Sequence, residues 1–110
     1  MSVPDDAIRL VRLFCDRRVP PRDDLRLEVR ARGNDLTIVE RRPPRQADDE
    51  SEWSSLPVAR LHWDESAEVW SLCCSDANGR WHAYGEVPPS TDLGTQLVEI
   101  DRDPSGIFWG

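Results

Sequence analysis

Apolar residues near the start of the chain recur at Ala7, Leu10, Val11 and Phe14, the i, i+3, i+4, i+7 spacing of one helix face. Asp5 or Asp6 is placed to cap this helix, which is predicted to run to about Arg18, where Val19-Pro20-Pro21 stops it. The period then falls to two. Leu25, Leu27, Val29 and Ala31 alternate with polar residues, Gly33-Asn34 offers a tight turn, and Leu36 and Ile38 return. A two-residue loop there sets Ala31 against Leu36 and Val29 against Ile38 on one apolar side. Further on, Ala59, Leu61 and Trp63 alternate, residues 64–68 turn, and Trp70, Leu72 and Cys74 alternate back. Asn78-Gly79 signals another hairpin, with Trp81-His82-Ala83-Tyr84 as its returning strand. Pro88-Pro89 ends the sheet, and Ser90 or Thr91 is expected to cap a second helix carrying Leu93, Leu97 and Ile100. Asp103-Pro104-Ser105-Gly106 closes it in a turn. The order predicts an α+β fold: an antiparallel sheet of about five strands, with an N-terminal and a C-terminal helix packed on one face.

The register sorts the side chains. Taking Asn78-Gly79 as a two-residue loop sets Cys74 opposite Ala83 and Cys73 opposite Tyr84, and pairing Trp63 with Trp70 keeps Leu61 opposite Leu72. On this reading Trp63, Trp70 and Trp81 share the apolar face under the helices. Arg60, His62, Cys73, His82 and Tyr84 share the other, polar face. Two of the five tryptophans belong to no strand: Trp53, among the acids of a loop spanning 43–57, and Trp109, next to the C-terminus.

The 110 residues suit a single domain, and a hydrophobic fraction of 38% argues against disorder. The formal charge of −7 is uneven. Residues 1–45 hold 11 arginines against 8 acids, whereas residues 46–110 hold 3 arginines against 13 acids. Such halves attract one another within one fold, and a basic surface on the first half is the alternative. Three cysteines, Cys15, Cys73 and Cys74, fit a reduced compartment better than a disulfide framework. Arg9 and Arg12 interrupt the N-terminal apolar stretch, and no run reaches membrane-spanning length. The expectation is a cytoplasmic protein with no membrane partner.

Arg17-Arg18-Val19-Pro20-Pro21, Glu40-Arg41-Arg42-Pro43, Asn78-Gly79-Arg80-Trp81-His82-Ala83-Tyr84 and the ending Asp103-Pro104-Ser105-Gly106-Ile107-Phe108-Trp109-Gly110 carry a resemblance. The chain resembles a family of small bacterial proteins known as domain of unknown function 3024. The resemblance covers nearly the whole chain, is most specific at its ending, and implies no activity, ligand or catalytic residue.

Candidate chemistry is sparse. No glycine-rich phosphate loop, Cys-x-x-Cys or Ser/His/Asp constellation is legible in the sequence. On the polar face, His62 and His82 flank Cys73 from opposite sides at diagonal positions about 7–8 Å away, too spread for one zinc ion. No metal or cofactor is therefore expected, and a small enzyme or ligand binder using that face is the third reading. The second is nucleic-acid binding through Arg26, Arg30, Arg32 and Arg41 of the first hairpin, which lacks aromatics for base stacking. The leading expectation is a non-enzymatic interaction or accessory module, with Trp53, Ile107, Phe108 and Trp109 as candidate contacts to another protein. The bland alternative for those four residues is that they anchor the loop and the tail on the body. Oligomeric state is left open.

Overall fold

The computed structural model describes residues 3–20, 24–44 and 53–109. Helix α1 spans Asp5–Arg18 and helix α2 spans Leu93–Arg102. Between them lie β1 (Arg26–Arg32), β2 (Asp35–Arg42), β3 (Ser54–Asp64), β4 (Val69–Ser75) and β5 (Trp81–Ala83). The strands form one antiparallel sheet in sequence order, so every connection joins neighbours.

The helix ends differ from the sequence reading. Pro4, not Asp5 or Asp6, occupies the N-cap of α1 and makes no side-chain cap bond. Both aspartates sit inside the first turn, and Arg17 and Arg18 sit in the last, so each charge favours the end of the helix dipole it occupies. Asp92, rather than Ser90 or Thr91, caps α2, accepting from the Gly94 N–H at 2.9 Å. The buried stripe of α1 is Ala7, Val11 and Cys15, with Phe14 partly buried; Leu10 turns outward. Adding Cys15 at i+8 rotates the apolar stripe away from Leu10.

Register follows the apolar alternation on β1 to β4. Val29 pairs with Ile38, Ala31 with Leu36, Leu61 with Leu72 and Trp63 with Trp70. Gly33, at φ +57°, supplies the left-handed conformation of the first hairpin turn. Inner-face residues Leu36, Ile38, Ala59, Leu61 and Leu72 form the core with Val11 of α1 and Ile100 of α2, so both helices cover one face. The loop expected over 43–57 is shorter at its far end, because β3 starts at Ser54 and carries Pro57 inside it. Proline is tolerated there because the register between β2 and β3 shifts at Ile38/Val39, opposite it. Residues 45–52 lie outside the described set.

The last hairpin corrects the expected pairing. Cys73 faces Ala83, Cys74 faces His82 and Ser75 faces Trp81, one residue off the two-residue-loop register. The loop is five residues long, 76–80, because the Asp76 carboxylate organises it. Its Oδ1 accepts from the backbone N–H groups of Asn78 (2.8 Å) and Arg80 (3.0 Å). A one-residue slip exchanges the faces of every side chain on β5. Trp81 therefore leaves the helix side for the outer face, and Tyr84 moves inward, 6% exposed.

Candidate functional site

With both helices on the inner side, no described element covers the outer face of the sheet. Its rows run across the strands: Arg32, Asp35, His62 and Ser71; Arg30, Thr37, Arg60, Cys73 and Ala83; then Arg26, Arg41 and Ser55 at the far end. Two tryptophans stand on this face, each under an arginine. The Arg60 guanidinium lies 4.4 Å from the centre of the Trp81 ring, and its Nε donates to Thr37 Oγ1 at 3.1 Å. The Arg26 guanidinium lies 4.7 Å from the Trp53 ring centre. Arg41 also donates to the Trp53 carbonyl at 3.4 Å and meets Glu28 at 3.5 Å. Arg30 donates to Ser55 Oγ at 3.1 Å and pairs with Glu28 at 3.9 Å. Each tryptophan is half-buried with its arginine over the ring.

The polar set proposed from the sequence is split. Arg60, His62 and Cys73 share the outer face, but His82 and Tyr84 leave it with the register shift. His82 pairs with Asp76 at 2.6 Å, and Tyr84 donates its hydroxyl to Glu99 of α2 at 2.7 Å. His62 Nδ1 lies 2.7 Å from Asp35 Oδ1. An ionised carboxylate only accepts, so Nδ1 carries the proton in this pair. Asp35, His62 and Ser71 thus stand in a row across three strands, an order reminiscent of a charge relay. The row is not assembled for that chemistry, because among the described residues Ser71 makes no hydrogen bond to His62. Nor is Cys73 a poised nucleophile. Burial raises its thiol pKa and Asp35 raises it further, against the smaller opposing effect of Arg60. Among the described residues, no group of three or more His, Cys, Asp or Glu is placed to hold a metal ion.

The aromatic tail is docked on the body. Phe108 is buried and packs on Tyr84, ring centres 5.1 Å apart. Trp109 donates its indole N–H to the Ile100 carbonyl at 2.7 Å and stacks under Arg18 at 4.7 Å. Asp103, left-handed at φ 43° at the end of α2, accepts the backbone N–H groups of Phe108 (3.0 Å) and Trp109 (2.9 Å). Of the tail candidates, Ile107 alone is exposed among the described residues, and Gly110 lies outside them. Trp53 rests on the sheet through Arg26 and Arg41.

The family model described as Domain of unknown function (DUF3024) matches residues 2–110, essentially the whole chain. The chain belongs to this family. No curated protein and no solved structure matches it. The outer face of this DUF3024 chain sets an arginine over a tryptophan twice. The feature that sequence reasoning missed there is the Arg60–Trp81 stack, hidden behind the two-residue-loop register. Asp76, two residues ahead of Asn78-Gly79, was the available signal, because an aspartate there can bond the backbone of its own loop and lengthen it.

Proposed function

We propose that the protein is a non-enzymatic interaction module whose contact surface is the outer face of its sheet. The observation that carries this reading is the pair of arginine–tryptophan stacks, Arg60 on Trp81 and Arg26 on Trp53, on a face no helix covers. Tryptophan and arginine dominate the energetics of protein interfaces, and side chains held in place before contact lose less entropy on binding. A sheet face that carries arginine and tryptophan suits a macromolecule, whereas a small molecule calls for a concavity. The tail is docked on the helix side, with Phe108 and Trp109 engaged internally, and is not part of this surface.

A second reading, single-stranded nucleic acid, gains one specific observation. The arginine hairpin lacks aromatics in sequence, yet Trp53 and Trp81 stand on the same face as Arg26, Arg30, Arg32, Arg41 and Arg60, the combination that stacks and neutralises a single strand. The guanidiniums cover the rings, and the net charge of −7 repels a polyanion at long range, so protein ranks first.

Affinity purification with the wild type, Trp81→Ala and Arg60→Ala, each with and without nuclease, tests both readings. A stoichiometric protein retained through nuclease by the wild type and lost by both variants is the expected result. Retention that nuclease abolishes transfers the function to nucleic acid. Identical capture by wild type and variants removes the outer face from the account.

A further inference from the structure

On the opposite side of the molecule, a groove of about 420 Å³ runs between α1 and α2, floored by Leu10, Leu13, Phe14, Leu97 and Val98. Leu10, Leu13 and Val98 are 41%, 47% and 49% exposed, the large apolar side chains that neither helix buries. A second hollow continues it toward the helix N-termini past Asp6, Ala7 and Leu93, and Leu10 borders both. The two helices run side by side in the same sense, since Leu93 meets the start of α1 and Asp101 pairs with Arg18 at its end (3.4 Å). Contiguous exposed apolar surface of this kind marks a contact.

The charges along α1 say what covers it. Asp6, Leu10, Leu13 and Arg17 follow one another at i, i+4, i+7 and i+11, and so form a single stripe. The stripe is its own complement when reversed. An antiparallel copy turned about a two-fold axis midway between Leu10 and Leu13 sets Leu10 against Leu13 and Asp6 against Arg17. Asp6 and Arg17 have no ion-pair partner among the described residues, so each is open to such a contact. Asp101, the acid at the basic end, is already paired with Arg18. We propose that the α1–α2 groove is a two-fold interface whose occupant is α1 of a second copy of this chain. The other symmetric route, edge pairing of β1, is disfavoured because it brings Arg26, Arg30 and Arg32 of both copies together along one edge. The proposal is independent of the outer-face reading, since the two use opposite sides of the sheet.

Sedimentation equilibrium on the full chain, loaded from about 1 µM to about 1 mM, tests it over the range of weak and standard interfaces. The wild type is expected to dimerise. Leu13→Glu, at an exposed position, is expected to remain monomeric. Asp6→Arg alone sets arginine against arginine, and Arg17→Asp alone sets aspartate against aspartate. Each weakens association by about tenfold. The double variant Asp6→Arg/Arg17→Asp restores it to within about threefold of the wild type. A wild type monomeric at about 1 mM, a dimer indifferent to Leu13→Glu, or a double variant no better than the single ones overturns the proposal. The charge-swap arm decides even where Leu13→Glu perturbs folding.

Discussion

Tyr84 is buried against Phe108 with its hydroxyl bonded to the Glu99 carboxylate, and that arrangement pushes its pKa up to about 12. The bond to Glu99 is the main cause, because it stabilises the protonated phenol, and burial adds to it. Cys15, under α1, is likewise pushed to about 12, first by burial and then by Asp16. Both folded pKa values exceed the unfolded ones, so the protonated forms stabilise the fold. That contribution is complete below about pH 9–10 and is lost as pH rises toward 12. Tyr84→Phe is expected to lower stability by about 1 kcal/mol at pH 7. The deficit should shrink above pH 10, where the wild type loses its own advantage. Urea midpoints at pH 7, 9 and 11 check this, and a deficit unchanged at pH 11 means the hydroxyl is not coupled to Glu99. None of this was legible in the sequence, where alternation set Tyr84 on the wet face. Asp103 is a comparable case: as a letter it closes a helix, whereas in the fold it also holds the backbone of the tail.

Elements were legible where periodicity is long. The α1, β1–β2 and β3–β4 assignments rest on repeated apolar spacing, and their pairings agree residue by residue with the alternation. Reading failed where one polar group sets backbone geometry: Asp76 lengthens a loop and flips β5, and a register shift lets β3 run through Pro57. Gln96 on α2 is another such group, fully buried among apolar neighbours. Its Nε2 donates to the carbonyls of Trp70 (2.9 Å) and Pro88 (3.1 Å), tying the helix to β4 and to the segment after β5. That segment also pairs with β4 through the Trp70–Ser90 bridge, which covers the strand beyond the short β5. Gln96→Leu keeps the bulk and removes both N–H groups, so the Pro88 carbonyl loses its partner while the Trp70 carbonyl keeps the Ser90 N–H. The expected cost is about 1–2 kcal/mol, since the variant also removes the buried, unpartnered Gln96 Oε1. Faster hydrogen exchange at the Trp70 and Ser90 amides should accompany it. Global destabilisation without that local loss places the effect in core packing instead.

At the scale of the whole molecule, the two faces divide the exposed surface into two kinds. The helical side shows aliphatic residues with self-complementary charges, and the sheet side shows arginine and tryptophan. The charge imbalance between halves led to the expectation that they attract one another. Arg18–Asp101 does join them, but Arg30 and Arg41 of the hairpin pair with Glu28 inside the first half. A count of charges along a chain cannot tell a local pair from a long-range one. No described helix is long and apolar enough to cross a membrane.

The division fixes the geometry of the proposed pair of copies, because helices meet at the centre and both outer faces point away. Cys73 reports that geometry. It stands half-buried on the outer face, while Cys15 and Cys74 are buried. Spin-labelling Cys73, with Cys73→Ser as the control for stray reaction, puts one label on each outer face. Sheet, helix, helix and sheet layers stack at roughly 10 Å apiece, so the two labels should lie about 30–40 Å apart by pulsed dipolar spectroscopy. Leu13→Glu should abolish the dipolar signal. A separation below roughly 20 Å means that the copies meet through their outer faces. In that case the arginine–tryptophan stacks are the self-contact, and the helical groove is left without an occupant.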